Sequence, residues 1–436
     1  MSSPMRIAMI SEHASPLACL GGIDAGGQNV YVAQVARELA RLGHQVDVLT
    51  RRDDPSSPPV VDFASGVRVV HVPAGPPSFV PKEDLLQYMP AFARTCRDIL
   101  AGVARYDVVH ANFFMSGQVA LSLKRWLGMP VVETFHALGL VRREHQGSAD
   151  LFPPSRIGIE RRIVRLSDAL IAECPQDRSD LVRLYGARER KITMVPCGVD
   201  LSEFSPIARA AARAALGLDP DEFIVLQLGR LVPRKGIDNV IRAMPLIGTG
   251  ARVLVVGGDA ADADETLTPE IARLRRVAAD CGVGRSVMFT GHRSRKELRL
   301  YYAAADVFVT TPWYEPFGIT PLEAMACARP VVGSAVGGIK YSVDDGVTGL
   351  LVPPRDPTAL AAALLRLRRD PQWACEMGRA GRARVASQFT WSRVAAELAR
   401  VYRRVQPLPS QRPVRTTLAH GAGSFAAMAA VPGAGA

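Results

Sequence analysis

The stretch Asp306-Val-Phe-Val-Thr-Thr-Pro-Trp-Tyr-Glu-Pro-Phe-Gly-Ile-Thr-Pro-Leu-Glu323 decides the fold, because it holds a strand, a turn and the start of a helix in direct succession. Its first five residues form a strand-like run, and a helix is predicted to begin near Pro321. Glu315 then lies in the turn and Glu323 in the first turn of the helix, where backbone amides attract anions. Both carboxylates are therefore expected to face one cleft.

Taken alone, this pair of acids has a simpler interpretation. Of two carboxylates around a turn, one more often lies in a solvated loop and the other stabilises the N-terminus of a helix by its charge. The rest of the chain has to decide between the two interpretations.

Similar strand and helix units recur along the whole chain. Strand-like runs are predicted at residues 6–11, 45–50, 67–72, 107–110, 130–135, 169–172 and 192–195, and again at 223–228, 251–256, 286–289, 306–310 and 330–333. Helical patterns lie between them, for example at residues 29–42, 83–100 and 117–126. This alternation is typical of α/β folds with doubly wound parallel sheets.

The alternation is interrupted once, by an Arg/Ala-rich helical segment and a Gly-Leu-Asp-Pro turn at residues 208–220. We therefore expect two Rossmann-like domains, residues 1–205 and 206–389. Ligands of open α/β folds bind at the carboxyl ends of the strands, so a central cleft between the two sheets is predicted. The last helix, residues 390–405, is expected to cross back to the first domain.

Composition narrows the possible function classes. The net charge of +11 would suit nucleic acid, but the arginines are spread along helical patterns, with no run of basic and aromatic residues of the kind that stacks bases. Nucleic acid is therefore not a predicted partner, whereas contact with anionic lipid stays open. The seven cysteines are dispersed without a Cys-x-x-Cys pair, which indicates reduced thiols.

No signal-peptide core is found near the N-terminus, and no apolar run approaches the roughly 20 residues that span a bilayer. Residues 408–436 are Pro/Arg-rich and then Ala/Gly-rich, which predicts a disordered tail. We expect a cytoplasmic protein, at most peripheral to a membrane.

The first strand is followed by the loop Gly21-Gly-Ile-Asp-Ala-Gly-Gly27. Gly26 and Gly27 let a ligand approach the backbone where helix amides converge, which suits a phosphate. The loop is neither Gly-x-Gly-x-x-Gly nor a Walker loop. A nicotinamide dinucleotide is therefore disfavoured and a P-loop nucleotidase excluded, with a flexible turn as the alternative.

A basic turn follows the first strand of the second half, in Arg230-Leu-Val-Pro-Arg-Lys-Gly236. Arg230 and Lys235 can converge on a diphosphate, the first as a planar fork and the second as a point charge. Surface solvation is the alternative for such a basic cluster.

Two histidines end predicted strands of the first half. His136 follows residues 130–135 and is a candidate ligand contact, and His110 has a similar position. By contrast, Asp262-Ala-Asp264 lies in an acidic, Ala-rich loop typical of a solvated insertion, so no metal site is predicted there.

With these residues identified, residues 5–402 resemble the retaining GT-B glycosyltransferases of family 4, also called glycosyltransferase group 1. The matching segments, in order, are Gly26-Gly-Gln28, Arg230 with Lys235-Gly236, Glu315-Pro-Phe-Gly with Glu323, and Gly337-Gly338. The resemblance implies a GT-B fold whose first domain binds an acceptor and whose second domain binds a nucleotide diphosphate sugar. It implies transfer of a hexosyl group to a hydroxyl, in carbohydrate biosynthesis.

The resemblance also implies roles for single residues. Glu315 would hold hydroxyls of the donor sugar, and Glu323 the ribose. Arg230 and Lys235 would hold the diphosphate, and His136 a sugar hydroxyl beside the acceptor. The expected donor-binding set is Gly26, Gly27, Arg230, Lys235, Glu315, Phe317, Gly318, Ile319 and Glu323, and the expected catalytic set is His136, Arg230, Lys235 and Glu315.

Within the family, residues 24–32 and 79–83 are similar to sucrose-phosphate synthases and to the inositol-phosphate glycosyltransferases of mycothiol synthesis. This similarity implies a phosphorylated acceptor bound by Lys82, Thr134 and Arg156.

The chain departs from the inositol-phosphate enzymes at two places. Phe113 stands in place of a tyrosine, and residues 133–137 differ from a His-rich stretch. The sequence therefore does not fix the identity of the acceptor or of the transferred sugar. It also does not fix the nucleotide of the donor, which can be UDP, GDP or ADP.

The family pattern implies front-face attack without a required metal or other cofactor. The leaving diphosphate would help to take the acceptor's proton, while Arg230 and Lys235 stabilise the developing charge. A carboxylate nucleophile would instead have to lie at the anomeric carbon.

Three alternatives remain at this point. The acceptor could be a lipid or polysaccharide at the membrane, the enzyme could be a nucleotide-sugar 2-epimerase, or the protein could be a non-catalytic nucleotide-sugar-binding module.

Overall fold

The computed structural model describes residues 3–18, 26–102 and 105–406. Within these residues the strands form two sheets, the first from residues 6–194 and the second from residues 223–352. The connection between the sheets contains the predicted domain boundary at 205/206. Residues 21–25 of the predicted glycine loop and the predicted tail at 408–436 lie outside the described residues.

The first sheet has the strand order β3-β4-β2-β1-β5-β6-β7-β8. The strands are β1 (Arg6–Ile10), β2 (Gln45–Arg51), β3 (Val60–Ala64), β4 (Val67–Val72), β5 (Val108–Asn112), β6 (Val131–Thr134), β7 (Ala169–Ala172) and β8 (Ile192–Met194). All neighbours pair in parallel except β3, which pairs antiparallel with β4 and was not predicted. An antiparallel edge strand on a parallel sheet is common in this fold class.

Helices cover both faces of this sheet. They are α1 (Gly27–Arg41), α2 (Met89–Ala101), α3 (Phe114–Leu127), α4 (Gly139–Gln146), α5 (Ser155–Leu166) and α6 (Pro175–Tyr185). The single helix predicted at 83–100 is wrong in its first part, where Lys82–Tyr88 form a 3-10 helix and α2 begins at Met89. Pro90 explains the break, because proline lacks an N–H and is favoured in the first turn of an α-helix, where that N–H would have no partner within the helix.

The second sheet is fully parallel and has the order β11-β10-β9-β12-β13-β14. Its strands are β9 (Phe223–Leu228), β10 (Ala251–Val256), β11 (Val287–Gly291), β12 (Val307–Thr310), β13 (Val331–Ser334) and β14 (Gly349–Val352). The helices of this sheet are α7 (Arg209–Leu216), α8 (Ile237–Ile247), α9 (Pro269–Asp280), α10 (Arg295–Ala304), α11 (Thr320–Ala326), α12 (Ile339–Ser342), α13 (Pro357–Arg369) and α14 (Pro371–Gln388). The last helix, α15 (Trp391–Val405), packs on α1 of the first sheet, as predicted for residues 390–405. The two sheets with their helices are called the first and second lobes below.

Both sheets are buried on their two faces, as their continuous apolar strands predict. All side chains of β6, β7, β12 and β13 are buried, and the residues of β1 after Arg6 are inaccessible to solvent. Burial on both faces requires a helical layer on each side, which the intervening helices supply.

The chain passes between the lobes twice, and the two passages adjoin. The backbone N–H of Val199 donates to the carbonyl of Phe389 at 2.7 Å, and Val199 forms a parallel bridge with Thr390. After the second passage α15 packs against α1, with the rings of Trp391 and Tyr31 at 5.9 Å between centroids. Among the described residues, no helix has the length and apolar character needed to cross a membrane.

Candidate active site

A cavity of about 420 Å³ lies between the carboxyl ends of the two sheets. In the first sheet β1 lies between β2 and β5, and in the second β9 lies between β10 and β12, so strand order reverses at both places. Loops diverge at such switch points and leave a crevice. The cavity volume is in the range of small-ligand sites, roughly 300–1,000 Å³.

Most of the predicted site residues line this cavity. They are Gly26, Gly27, Lys82, His136, Arg230, Lys235, Glu315, Phe317, Gly318, Ile319 and Glu323. The loops after β1, β6, β9 and β12 thus bring together residues that are more than 200 positions apart in the chain.

Lys235 and Glu315 form an ion pair in the second-lobe wall, through Nζ and Oε2. Burial acts to raise the pKa of Glu315, but the cations Lys235, Arg234 and Arg230 outweigh it and hold that pKa below its usual value. Burial lowers the pKa of Lys235, and Glu315 opposes this shift. Glu315 is therefore an anion near neutral pH, inside a cationic wall.

The backbone of Glu315 is supported by a glycine pair. The N–H of Gly338 donates to the Glu315 carbonyl at 3.2 Å. Gly337 has φ +44°, and a Cβ there would lie 1.9 Å from the same carbonyl oxygen. Only a residue without a side chain allows the two backbones to come this close.

Glu323 is held at both carboxylate oxygens by α10. The Tyr302 hydroxyl donates to Oε2 at 2.8 Å, and Nη1 of Arg295 donates to Oε1 at 2.9 Å. Glu323 is buried and lines the cavity at the first turn of α11, as predicted from its position after the strand and turn.

His136 is held in a strained backbone conformation at the end of β6. Its φ is +56°, and the Ala137 N–H donates to the Phe135 carbonyl at 2.6 Å, which closes a γ-turn around it. Its Nδ1 lies 3.1 Å from Oε1 of Glu173, and its Nε2 lies 3.0 Å from Oδ1 of Asn112. Strain of this kind costs roughly 1–3 kcal/mol and persists where the surroundings fix it, as at many functional sites.

The two walls of the cavity approach each other at the N-terminus of α1. A Cβ on Gly26 would lie 3.6 Å from Nε of Arg230, and one on Gly27 would lie 3.7 Å from the Ile319 side chain. The first-turn amides of α1 therefore face the basic turn of the second lobe, and both features favour an anion.

The first-lobe wall carries further residues that the sequence analysis missed. His13 lines the cavity and contacts Oε1 of Glu12 at 2.8 Å, and Arg142 lines it while Nε donates to Oδ1 of Asp150 at 3.0 Å. Lys82, which was predicted as an acceptor residue, lies in the same wall.

Glu173, the partner of His136, was missed although a signal was present in the sequence. It follows β7 directly, and the rule that singled out His136 at a strand's carboxyl end applies equally to Glu173.

Two predicted acceptor residues do not line the cavity. Thr134 is buried in β6, with Oγ1 at 2.9 Å from Nε2 of His110. Arg156 is buried in α5, where Nε donates to Glu160 at 2.7 Å and Nη2 donates to the Ala137 carbonyl. The guanidinium of Arg156 therefore supports the backbone next to His136 from behind.

The acidic loop after β10 has a local structural role. Oδ1 of Asp264 accepts the backbone N–H groups of Thr266 and Leu267 at 2.7 and 3.2 Å. No group of three or more His, Cys, Asp or Glu side chains with the arrangement of a metal site occurs among residues 3–18, 26–102 and 105–406.

Two family profiles match the two lobes of the chain. The profile described as Glycosyltransferase Family 4 matches residues 25–203, and the one described as Glycosyl transferases group 1 matches residues 208–384. The chain is a family 4 glycosyltransferase. Its co-substrate is therefore a nucleotide sugar.

Relatives of this glycosyltransferase match along nearly the full chain. D-inositol 3-phosphate glycosyltransferase 1 of Catenulispora acidiphila is 39% identical over 92% of this chain and 96% of its own. The D-inositol 3-phosphate glycosyltransferase of Kineococcus radiotolerans is 40% identical over 94% of this chain and 98% of its own.

Solved structures agree on the fold. Sucrose-phosphate synthase from Thermosynechococcus elongatus superposes with a TM-score of 0.85 at 36% identity, covering 92% of this chain and 98% of that one. Anabaena HepE in complex with UDP and glucose superposes with a TM-score of 0.71 at 20% identity, covering 91% and 98%. The glycosyltransferase thus has the GT-B fold predicted from its sequence.

Proposed function

We propose that this glycosyltransferase moves a hexosyl group, with retention of configuration, from a nucleotide diphosphate sugar to a hydroxyl of a small phosphorylated acceptor. The observation that carries the proposal is the approach of Arg230 to Gly26 across the cleft. It puts a cationic turn of one lobe opposite the helix N-terminus of the other, and both features attract a diphosphate.

The donor would bind along the second lobe. Arg230 and Lys235 would hold the diphosphate, Glu315 the sugar hydroxyls and Glu323 the ribose. In the ion pair Lys235 already contacts Glu315, so a bound donor would share these two groups between its diphosphate and its sugar.

The acceptor would bind against the first lobe, where Lys82 and Arg142 supply positive charge and His13 a polar contact. A phosphate prefers such cationic donors, because hydrogen bonds between ionised partners are about twice as strong as neutral ones. The names of the similar enzymes, which include inositol 3-phosphate and sucrose phosphate, support the same chemical class.

Transfer would proceed by front-face attack, without a metal ion. The leaving diphosphate would take the acceptor's proton, and the cations of the second lobe would stabilise its charge. His136, oriented by Glu173 at Nδ1, would exchange the contact of its Nε2 with Asn112 for a hydroxyl of the donor sugar next to the acceptor.

The test is a thermal-shift screen with UDP, GDP, ADP and their hexose conjugates, followed by turnover assays with inositol 3-phosphate and hexose phosphates in EDTA. We expect one nucleotide family to stabilise the protein, and transfer to require a phosphorylated acceptor and no metal. Product formed from the donor alone would support the epimerase alternative instead. Absence of binding by every nucleotide would contradict the proposal.

We further propose that transfer takes place in the cytoplasm, on a diffusible acceptor. All six cysteines among the described residues are free thiols, which suits a reducing compartment. Flotation of the enzyme with vesicles of anionic lipid would favour a membrane-bound acceptor and argue against this assignment.

A further inference from the structure

Arg295 joins two carboxylates that belong to different parts of the molecule. Its Nε pairs with Glu203 at 2.7 Å, and its Nη1 pairs with Glu323 at 2.9 Å. Glu203 lies in the connection between the two sheets, whereas Glu323 lines the donor side of the cavity. One guanidinium thus spans from the inter-lobe connection to the donor site.

These contacts are shielded from solvent. The side chains of Arg295, Glu203 and Glu323 are 18%, 24% and 4% exposed. The guanidinium also lies 4.8 Å from the ring centroid of Phe204, which is fully buried. Ion pairs that are shielded from solvent hold their geometry, unlike exposed pairs, which contribute little.

The arrangement leaves Glu323 with free capacity to bind a ligand. A carboxylate has about four acceptor positions, and the structure uses one on each oxygen, for Arg295 and Tyr302. Both donors belong to α10, so the carboxylate plane is set by one rigid element. Its remaining lone pairs are available to a pair of neighbouring hydroxyls.

We propose that Arg295 is a positioning residue that orients Glu323 toward the donor ribose and ties this orientation to the inter-lobe connection through Glu203. The inference rests on the proposed function, since it takes the ribose as the ligand of Glu323. Recognition of the ribose diol then depends on the contact of Arg295 with Glu203, as well as on its contact with Glu323.

The chain supplies a matched control on the same helix. Nε of Arg299 donates to the Ser205 carbonyl at 2.9 Å, so Arg299 also anchors the connection, but no contact joins it to Glu323 in the described structure. Arg299→Met should loosen the connection without disturbing the carboxylate. Arg295→Met should loosen the connection and also disturb the carboxylate of Glu323.

Titration calorimetry measures the affinity for the nucleoside diphosphate (UDP, GDP or ADP) that stabilises the protein in the thermal-shift screen. It also measures the affinity for the 2′,3′-dideoxy form of the same nucleotide. Variants are Arg295→Met, Arg295→Lys, Glu203→Gln and Arg299→Met. Wild type should prefer the ribose form by about tenfold or more, because hydrogen bonds to a charged group are strong. Arg295→Met should lose most of this preference, and its affinity for the dideoxy form should be unchanged.

The other variants refine the expected pattern. Lysine cannot pair with two carboxylates as a planar fork, so Arg295→Lys should retain only part of the preference. Glu203→Gln should also lose part of it, although Glu203 does not line the cavity, and Arg299→Met should keep it in full. If Arg295→Met does not fold, Arg295→Lys and Glu203→Gln decide the question.

Two outcomes would overturn the inference. One is a full ribose preference in folded Arg295 variants, and the other is an equal loss in Arg299→Met, which would indicate a general packing effect. Failure of the wild type to bind any nucleoside diphosphate would instead overturn the proposed function, and the inference with it.

Discussion

The Nζ of Lys235 and the carboxylate of Glu315 pair directly, although 80 positions separate them in the chain. Each was expected to hold a different part of the donor. The pair fixes both side chains in the second-lobe wall and keeps Glu315 ionised at neutral pH. A donor bound as proposed would therefore meet two groups that are already charged and oriented.

Lys235→Ala should lower kcat/KM by about 10²- to 10³-fold, because a preorganised cation that faces the leaving diphosphate would be lost. Steady-state kinetics and a thermal melt measure the effect. Lys296→Ala, at an exposed position of α10, is the control and should have normal activity. Near-normal turnover in a folded Lys235→Ala enzyme would contradict the assignment.

Two substitutions of His136 separate the proposed catalytic contribution of its imidazole from the effect of its backbone conformation on stability. His136→Asn should fold well, since asparagine tolerates a positive φ, yet lose transfer because the imidazole contact with Glu173 is gone. His136→Ala should lose activity and also melt at a lower temperature than His136→Asn. Melting curves and turnover of the two variants test this, and equal melting temperatures would argue against strain at this residue.

Gly337→Ala should inactivate the enzyme, because the added Cβ would displace the backbone of Glu315. Gly346→Ala is the matched control, as Gly346 also has a positive φ, +79°, but nothing lies within 4 Å of its Cβ position. The control should lose about 1 kcal/mol of stability and retain turnover. Equal activity losses in both variants would show that backbone strain, and not the contact with Glu315, is responsible.

The proposed acceptor wall predicts a selective change in KM. Arg142→Ala should raise KM for a phosphorylated acceptor about 10- to 100-fold, since a charged hydrogen bond is lost, and leave donor affinity unchanged. Arg143→Ala, the next residue of α4, lies outside the cavity lining and should behave as wild type. A rise in KM for the donor alone would indicate that Arg142 contacts the donor and not the acceptor.

Burial lowers the pKa of His110 to about 3, and His136 contributes in the same direction. In the unfolded chain this imidazole takes up a proton near 6.5, so between pH 3 and 6.5 the unfolded state binds more protons and stability falls as the pH is lowered. His110→Gln lacks this proton uptake. Its melting temperature, lower than wild type at pH 7, should therefore approach that of wild type at pH 5. A constant difference from pH 7 to pH 5 would contradict the neutral state of His110.

The fold and the residues that line the second-lobe wall of the cavity were predictable from sequence, because their signals are local. Runs such as Val307 to Thr310 are continuous and apolar, and turns such as the one at Arg230 follow them directly. Strand-end position was sufficient to select Glu315 and His136.

The residues of the first-lobe wall were less predictable, because they depend on which way side chains face. Thr134 is near His136 in sequence, but it is the last residue of a strand and is directed to His110 in the core. Arg156 is turned inward on α5, where its guanidinium stacks on the rings of Phe113, Phe114 and Phe152 at 4.5 to 4.9 Å. Arg142 has the exposure needed to meet a ligand, but nothing in its helical pattern distinguishes it from Arg143.

The adjoining passages at Val199 and Thr390 limit how the cleft can open. A single connecting segment would let the lobes rotate about several axes and slide past each other. Two connecting segments bonded side by side restrict the movement to rotation about one axis. Rotation about their shared line remains easy, but sliding would break the Val199–Phe389 hydrogen bond. A rotation about this line would return the second-lobe cations to the same place above the α1 N-terminus.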